Sequence, residues 1–317
     1  MNEANFHHLP VMVDQIAEVF RTVPAGWLVD ATVGGGGHAE RLLRERPDCS
    51  LLGIDADPLA LRACELRLAP FGDRVKLHHA RFDQLSVVMT DLKITAASGV
   101  LFDLGVSSPQ LDEAERGFSY RGEGPLDMRM DPDNQRTAAD VVNGYSQAEL
   151  TRVIRSGSDE KFAARIAAAI VAARPIESTA ELAAIVRDAI PAATRRRGGH
   201  PAKRTFQSIR IEVNRELAIL PGAIDDAITA TAPGGRVAVL SYHSGEDRIV
   251  KDRFRNAVTG GCTCPLGLPC VCDAVQTVRL VRVAKSPSAS EMEDNRRAES
   301  AHLRVVEKLP EPRRLGA

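Results

Sequence analysis

The stretch VDATVGGGGHAERLL, residues 29–43, combines three features of a ligand-binding turn. An apolar run ends at Asp30, four consecutive glycines follow, and a segment typical of a helix begins near His38. A strand that passes through a glycine-rich turn into a helix brings backbone N–H groups close to a ligand, at the positive end of the helix dipole. Because each glycine costs conformational entropy on folding, four in a row favour a turn that binds something.

Strand-like and helix-like segments alternate around this turn. Short apolar runs that end in acidic, Gly or Ser residues lie at 27–31, 50–57, 75–80, 99–105 and 236–243. Helix-like segments such as HAERLLRERP separate the early runs. This alternation predicts an α/β fold with a doubly wound parallel sheet, and TVRLVRVA and HLRVVEKL are expected to add late strands at one edge.

The alternation stops after Gly105. Residues 112–136 are rich in Gly, Pro, Asp and Arg, which is typical of a long ordered loop. Helical patterns follow, with capping-box sequences at Ser146 and Ser178. No strand pattern occurs between about 137 and 204. The sequence therefore predicts an all-helical insertion within an α/β domain.

The length of 317 residues suits one large domain with an insertion. We expect a discontinuous core formed by residues 1–111 and 205–317, with an inserted helical domain at 112–204. The sheet is expected to resume after one long helix near 205–230.

Composition limits the classes of partner. The net charge of −1 gives no overall attraction to a polyanion, so a nucleic acid must be held by a local basic patch. The start MNEANFHHLP does not resemble a signal peptide, and the most apolar stretch, IAAAIVAA, is too short to span a bilayer. Four of the six cysteines cluster near the C-terminus, which is not a disulfide framework. We therefore expect a cytoplasmic protein without a membrane partner.

Several cofactors fit the glycine-rich turn. Gly34, Gly36 and Ala39 satisfy the G-x-G-x-x-A dinucleotide pattern, and Asp55 ends the next strand, where an acid can bind ribose hydroxyls. NAD, FAD and S-adenosylmethionine all meet these conditions. Asp30, just before the turn, favours S-adenosylmethionine, because a carboxylate attracts a cationic methionine moiety and repels a pyrophosphate.

The segment DLGVSSPQ, residues 103–110, follows the fourth strand directly. In α/β folds a substrate meets the cofactor outside the carboxyl ends of the strands. An exocyclic amine is a poor nucleophile, and an acceptor on its N–H groups stabilises the positive charge that forms on methylation. Asp103 could be that acceptor, helped by Ser107 and Ser108, or it could bind the cofactor or cap a helix.

The longest distinctive motif, DLGVSSPQLDEAERGFSYRGEGPLDMRMDP at 103–132, closely resembles the RsmH (MraW) family of bacterial 16S rRNA cytosine methyltransferases. Further family segments follow in order: HLPVMVDQ, DATVGGGGHAERLL, GIDADPLAL, FQSIRIEVNREL, PGGRVAVLSYHSGEDRIVK and NRRAESAHLRV. The resemblance implies a class I, Rossmann-like S-adenosylmethionine-dependent methyltransferase core with a helical insertion. It also implies methylation of the 4-amino nitrogen of a cytidine in the decoding centre, the P-site region of 16S rRNA in the small ribosomal subunit.

The same resemblance implies a set of cofactor contacts. In chain order these are Gly36, Gly37, His38, Asp55, Phe82, Asp103 and Gln110. Asp55 would hold the ribose and Phe82 would lie near the adenine, whereas His38 could instead be a helix N-cap. The chain also departs from the family pattern, because Gly245 stands at a usual Leu and Tyr242 at a common Phe.

The segment SYHSGEDRIVK, residues 241–251, follows the fifth strand and is expected to face the same cleft. Its polar side chains could recognise the cytosine and orient it, or they could form a structural polar network. We favour a functional role for His243, as a second catalytic candidate beside Asp103, and a structural role for Glu246 and Asp247.

Two further segments could contact RNA. RGFSYRGEGPLDMRMD at 116–131 offers rings for base stacking and arginines for phosphates, or it is an ordered loop packed on the insertion. Its candidate residues are Phe118, Tyr120, Arg116, Arg121 and Arg129, with Met128 and Met130 as a small core in the alternative. TRRRGGHPAKRTFQSIR at 194–210 concentrates basic residues without an acid, and we favour salt-sensitive rRNA backbone binding over a solvated face. These basic residues are Arg195, Arg196, Arg197, Lys203, Arg204 and Arg210.

The segment CTCPLGLPCVC places Cys262, Cys264, Cys270 and Cys272 in a C-x-C-x5-C-x-C array. Four thiols can complete a tetrahedral zinc site, although the usual spacing is C-x2-C, and a reduced metal-free loop is the alternative. The sequence leaves the choice open and assigns no metal ligand.

Two other functions compete with the methyltransferase. The dinucleotide pattern alone would suit a nicotinamide-dependent oxidoreductase, and a chain that kept the fold without activity would be an RNA-binding assembly factor. The intact glycine turn, Asp55 and Asp103 favour the enzyme. The expected partner is 16S rRNA in the small ribosomal subunit, and a homodimer is an open expectation.

Overall fold

The computed structural model describes residues 10–195, 200–265, 271–295 and 298–314. The chain divides into two compact units. The sheet unit comprises Met1–Gly105 and Ile219–Ala317, and the helical unit comprises Val106–Ala218. The narrower limits expected for the inserted domain, 112–204, stay a prediction.

Within the described residues of the sheet unit, seven strands form one sheet in the order β3-β2-β1-β4-β5-β7-β6. The strands are β1 Gly26–Asp30, β2 Cys49–Asp55, β3 Val75–His79, β4 Ala97–Asp103, β5 Thr231–Ser241, β6 Val275–Leu280 and β7 His302–Arg314. The first five strands pair in parallel, and β7 runs antiparallel to both β5 and β6. The order reverses between β1 and β4, as in a doubly wound sheet. The predicted α/β class and the late edge strands are confirmed.

Helices connect these strands and form the helical unit. In chain order they are α1 Val13–Phe20, α2 Gly37–Glu45, α3 Pro58–Leu68, α4 Leu85–Asp91, α5 Ser108–Asp112, α6 Ala138–Gly144, α7 Gln147–Ser158, α8 Ala163–Ala172, α9 Thr179–Ala189, α10 Ala192–Arg195, α11 Lys203–Asn214, α12 Glu216–Ala230, α13 Ser244–Thr259 and α14 Ala289–Asp294. Short 3₁₀ segments lie at Ala69–Arg74, Phe82–Gln84, Ala114–Arg116 and Ala298–Ser300. Within the described ranges, none of the helices combines the length and apolarity needed to cross a bilayer.

The sheet has an apolar core on each face, because neighbouring residues of a strand point to opposite sides. Val29 belongs to the cluster that contains Leu85 of α4 and Phe254 of α13. Leu28 belongs to the other cluster, with Ile16 of α1 and further residues of α2 and α3. Burial on both faces makes the central strands a rigid platform for the side chains at their ends.

The helical unit has its own apolar core, which includes Ile166 and Ile170 on one face of α8. The capping box predicted at Ser146 is confirmed, since its side chain accepts from the Glu149 N–H. The single long helix expected near 205–230 is wrong. The chain forms α11 and α12 instead, because Arg215 between them adopts a left-handed conformation with φ of 56°.

Candidate active site at the carboxyl edge of the sheet

Three aspartates end neighbouring parallel strands of the sheet unit. Asp30 is the last residue of β1, Asp55 of β2 and Asp103 of β4. Because the carboxyl ends of parallel strands meet at one edge, the topology brings these side chains together there, beside the switch point of the sheet. This edge is therefore the candidate active site.

The Asp55 carboxylate orders the glycine-rich turn. Its Oδ2 accepts a hydrogen bond from the Gly34 N–H at 2.8 Å, and its Oδ1 accepts one from the Asp57 N–H at 2.9 Å. Burial raises the pKa of Asp55 to about 6, against the opposing effect of these N–H donors. Its predicted contact with ribose stays a prediction.

Gly36 is required by the backbone and by packing, and Gly37 by packing. Gly36 has a φ of 80°, and a Cβ there would lie 2.9 Å from the Cys64 Sγ. A Cβ on Gly37 would lie 2.4 Å from the Pro10 Cγ. Gly36 is the N-cap of α2 and has no side chain, so the N-cap residue itself does not cap the first N–H groups of that helix.

His38 lies inside α2, so its alternative role as helix N-cap is wrong. The side chain is only 6% exposed, and its Nε2 lies 3.4 Å from the Asp103 Oδ2. Neither ring nitrogen has a hydrogen-bond partner among the described residues. Burial disfavours the charged ring, but Asp103 and then Asp30 raise the pKa of His38 overall. The acidic neighbours therefore favour the protonated form of His38, and burial opposes it.

Two neighbours hold Asp103 in place. The Tyr242 hydroxyl donates to its Oδ1 at 2.6 Å, and the Asp103 N–H donates to the Thr32 Oγ1 at 2.6 Å. The pairing of Asp103 with Leu240 brings Tyr242, two residues beyond Leu240, close to this carboxylate. Burial and the Asp103 charge raise the pKa of Tyr242 well above its usual value, so the hydroxyl stays protonated and acts as a donor.

The cluster is acidic and incompletely neutralised. Burial raises the pKa of Asp30 to about 7, His38 lowers it, and the charges of Asp103 and Asp55 raise it further. A cationic ligand would stabilise the ionised form of such buried carboxylates, whereas a pyrophosphate would be repelled by them.

His243 caps α13. Its Nδ1 accepts from the Gly245 and Glu246 N–H groups at 3.2 and 3.4 Å. The Glu246 carboxylate accepts in return from the Tyr242 and His243 N–H groups. The His243 Nε2 lies 3.1 Å from the Glu246 Oε1, without hydrogen-bond geometry to any described residue. Glu246 thus has the structural role that we favoured for it.

Asp247, the other acid for which a structural role is predicted, accepts two hydrogen bonds from Arg304 of β7, at 2.7 and 2.9 Å. This pair ties the start of α13 to the sheet. The Arg304 guanidinium lowers the pKa of Asp247.

The remaining predicted cofactor contacts lie in different units. Phe82 of the sheet unit follows β3 and packs edge-on against Phe102, with ring centroids 5.9 Å apart. Gln110 belongs to α5 of the helical unit, where its Oε1 accepts from the Ser107 N–H at 3.0 Å. Their cofactor roles stay predictions.

The aromatic loop at 116–131 packs within the helical unit. Phe118 is 5% exposed and Met128 is fully buried, as in the alternative that we described. Tyr120 stacks on His200 with centroids 4.5 Å apart. Phe118 is therefore occupied by core packing and does not present a face for a base.

The basic residues of the segment 194–210 have different roles. Arg210 makes two hydrogen bonds of 2.9 Å to Glu216, and both side chains are nearly buried. This pair bridges the break between α11 and α12, so Arg210 is structural. Lys203 and Arg204 are exposed. The predicted contacts of Arg196 and Arg197, and of the Arg195 side chain, lie outside the described residues.

Sequence reasoning missed Thr32 and the role of Tyr242. Each touches Asp103, and neither carries a motif of its own. A usable signal was the Tyr242 hydroxyl itself, because this residue directly follows β5, the neighbour of β4. A hydroxyl at this place needs a hydrogen-bond acceptor, and the Asp103 carboxylate at the end of β4 is close enough to provide one.

Comparison with known proteins gives a consistent result. The sequence profile described as the MraW methylase family matches residues 5–309. The "Ribosomal RNA small subunit methyltransferase H" of Symbiobacterium thermophilum is 50% identical over 310 residues, which cover 96% of this chain and 97% of the relative. Proteins of the same name from Thermobifida fusca and Acidothermus cellulolyticus are 50% and 51% identical, each over 96% of this chain and over 94% and 95% of the relative. These matches confirm the resemblance seen in the motifs.

Proposed function

Because the chain belongs to the MraW methylase family, we propose that it methylates the 4-amino nitrogen of a cytidine in the decoding centre of 16S rRNA. Its relatives are named as methyltransferases of small-subunit ribosomal RNA, and its cofactor is S-adenosylmethionine. The observation that carries the finer proposal is the convergence of Asp30, Asp55 and Asp103 beside the glycine-rich turn. The P-site region of the small subunit is the proposed location of the target.

The residues at the carboxyl edge fit this cofactor. S-adenosylmethionine supplies a methyl group on a positively charged sulfur, and the acidic cluster suits such a cation. The first N–H groups of α2, which its N-cap residue Gly36 does not cap, suit a carboxylate. A nicotinamide dinucleotide would instead place its pyrophosphate at the glycine-rich turn, close to the Asp30 carboxylate. The residues proposed to hold the cofactor are Gly36, Gly37, His38, Asp55, Phe82, Asp103 and Gln110.

Asp103 is the proposed catalytic residue. The amine of cytosine is a weak nucleophile because its lone pair is delocalised into the ring, and a carboxylate that accepts its N–H favours the reactive form. The Asp103 side chain is 26% exposed, and Tyr242 and His38 restrict its orientation. Once methylated, the nitrogen is strongly acidic and can lose a proton to water or to Asp103. Positioning provides most of the rate acceleration.

His243 is proposed to help orient the target base in addition to capping α13. Its support is the Nε2, which is buried and has no hydrogen-bond partner among the described residues. The exposed Lys203 and Arg204 are proposed to contact the rRNA backbone. A ribosomal substrate also supports the predicted cytoplasmic location, and the homodimer stays a prediction.

The test is methyl transfer to small ribosomal subunits from a strain that lacks this gene. The purified protein is incubated with the subunits and S-adenosylmethionine, and the rRNA is then digested for mass spectrometry. We expect about one N4-methylcytidine per subunit, and none without the donor. Stable binding of the subunits without any methylation would support an assembly factor instead. Calorimetric binding of NADH and not of S-adenosylmethionine would support the oxidoreductase.

A further inference from the structure

Three cysteine thiols meet in the loop that connects α13 to β6. Cys262, Cys264 and Cys272 place their Sγ atoms within 4.8 Å of one another. Cys262 and Cys264 are partly buried and Cys272 is exposed, and no disulfide joins the described cysteines. Sulfur atoms in a disulfide lie about 2.05 Å apart, so the loop gathers thiols at a spacing that suits a shared ligand better.

The backbone around the helix end explains how distant cysteines come together. Gly260 and Gly261 follow α13 with φ of 59° and 74°, and the Cys262 N–H donates to the Thr259 carbonyl at 3.0 Å. A Cβ on Gly260 would lie 2.3 Å from the Val275 nitrogen, so the end of α13 packs directly on the start of β6. The chain therefore returns to the end of the helix at Val275.

The local charge favours a cation. The thiols follow the C-terminal end of a helix of 16 residues, which carries partial negative charge, and the last turn of that helix contains no basic residue. The only acid next to the cluster in sequence, Asp273, is 3.6 Å from Arg314 and so has a cation of its own. Three thiolates at this place would repel one another unless a metal ion held them.

From this arrangement we propose that Cys262, Cys264 and Cys272 bind one Zn²⁺ ion in a structural site. Zinc–thiolate bonds of about 2.3 Å in a tetrahedron separate the sulfur atoms by roughly 3.8 Å, so the observed spacing needs shifts of less than about 1 Å. Binding converts three thiols to thiolates and releases three protons to solvent. Cys270, which the sequence places in the same loop, lies outside the described residues.

The site is independent of methyl transfer. It would fasten the loop between α13 and the edge strand β6, so removal of zinc is expected to loosen this region and leave the glycine-rich turn intact. A site of this kind is measured by metal content and thermal stability rather than by activity.

The experiment measures zinc by plasma mass spectrometry in protein purified without chelators and without a metal-affinity tag. We expect about one zinc per chain in the unmodified protein and at least a fivefold loss in Cys262→Ser and Cys272→Ser. Cys49→Ser is the matched control, because Cys49 is a buried thiol at the start of β2, away from the cluster in the chain. It is expected to retain full zinc content.

A second measurement uses the unmodified protein, so it does not depend on the folding of any variant. Removal of zinc by a chelator should lower the melting temperature, and adding zinc back should restore it. Cobalt substitution should give the charge-transfer absorption of thiolate ligands. Zinc well below one per chain in the unmodified protein, or equal zinc in the cluster variants and the control, would overturn the proposal. So would a disulfide between two of these cysteines in protein purified without added reductant, chelator or oxidant.

Discussion

Strand β2 has an aspartate at each end, and the two carboxylates lie in opposite electrostatic surroundings. Asp48, just before the amino end, accepts two hydrogen bonds from Arg46 at 2.8 and 2.7 Å, and this guanidinium lowers its pKa to about 2. Asp55, at the carboxyl end, receives only backbone N–H donors in the described structure, and burial raises its pKa to about 6. Ionised Asp48 therefore stabilises the fold at one end of the strand, whereas burial of ionised Asp55 destabilises it at the other end.

The neighbouring groups extend the contrast. At the amino end, Arg74 donates to the Leu43, Arg46 and Cys49 carbonyls, and its charge acts with that of Arg46 to lower the pKa of Asp48. At the carboxyl end, burial raises the pKa of Asp30 to about 7, against the opposing effects of His38 and of the Thr32 N–H. Perturbed carboxylates of this kind cluster at functional sites. The comparison indicates that a cationic ligand supplies the charge that the carboxyl edge lacks.

The largest expected effect comes from the acid proposed to act on the substrate. Asp103→Ala should reduce single-turnover methyl transfer to small subunits by about 10²–10³-fold, because the acceptor for the amine N–H is lost. Asp48→Ala, at the opposite edge, should retain normal turnover. Near-normal turnover in Asp103→Ala would remove this residue from the mechanism.

The second prediction concerns pH. Binding of S-adenosylmethionine should favour ionised Asp30, so affinity should rise with pH through about 6–7 and change by at most about tenfold per pH unit for a single group. Asp30→Asn should bind the cofactor about tenfold more weakly at pH 8, with a flatter pH profile. Calorimetry between pH 5.5 and 8.5 would measure both, and an unchanged profile in Asp30→Asn would contradict the prediction.

The third prediction is that the ionised carboxylates of Asp30 and Asp48 affect the stability of the fold with opposite signs. The pKa of Asp30 rises from 3.8 to about 7 on folding, so its favourable contribution is present below 3.8 and is lost as pH rises through 7. The pKa of Asp48 falls to about 2, so its contribution is present above 3.8 and is lost as pH falls through 2. At pH 8, without ligand, Asp30→Asn should therefore raise the melting temperature and Asp48→Asn should lower it. A decrease in both variants would contradict the contrast between the two edges.

Much of this arrangement could be predicted because it depends on order along the chain. The alternation of apolar runs predicted the parallel sheet, and the topology then placed Asp30, Asp55 and Asp103 at one edge. The four glycines predicted the turn because few other sequences tolerate its backbone. Such features are local, or follow from strand order alone.

The interactions that sequence reasoning missed depend on how neighbouring elements pair and where a helix breaks. The Tyr242 hydroxyl reaches Asp103 only because β5 pairs with β4 in one particular register. Arg210 looked like part of an RNA-binding patch, since its partner Glu216 lies beyond an unpredicted break at Arg215. A left-handed residue without glycine has no clear sequence signal, so the pairing across it could not be foreseen.

The smallest expected effect comes from removing the Tyr242 hydroxyl, which tests whether its hydrogen bond to Asp103 contributes to turnover. Tyr242→Phe removes the 2.6 Å hydrogen bond to Asp103 and should lower kcat roughly three- to tenfold, with little change in KM for the cofactor. The variant should fold, because the substitution removes one hydroxyl and keeps the ring and its packing. Tyr145→Phe is the matched control, since it breaks a 2.8 Å hydroxyl–carboxylate bond to Glu212 in the helical unit and should leave kcat unchanged.

The outcome separates two ways of holding Asp103. If only Tyr242→Phe lowers kcat, the hydroxyl restricts the carboxylate in an orientation that the amine of the substrate requires. If both variants keep full activity, the backbone bond to Thr32 and the nearby His38 position Asp103 without help. The hydroxyl would then only satisfy one oxygen of a partly exposed carboxylate by a hydrogen bond, as Arg46 does for Asp48 at the other edge of the sheet.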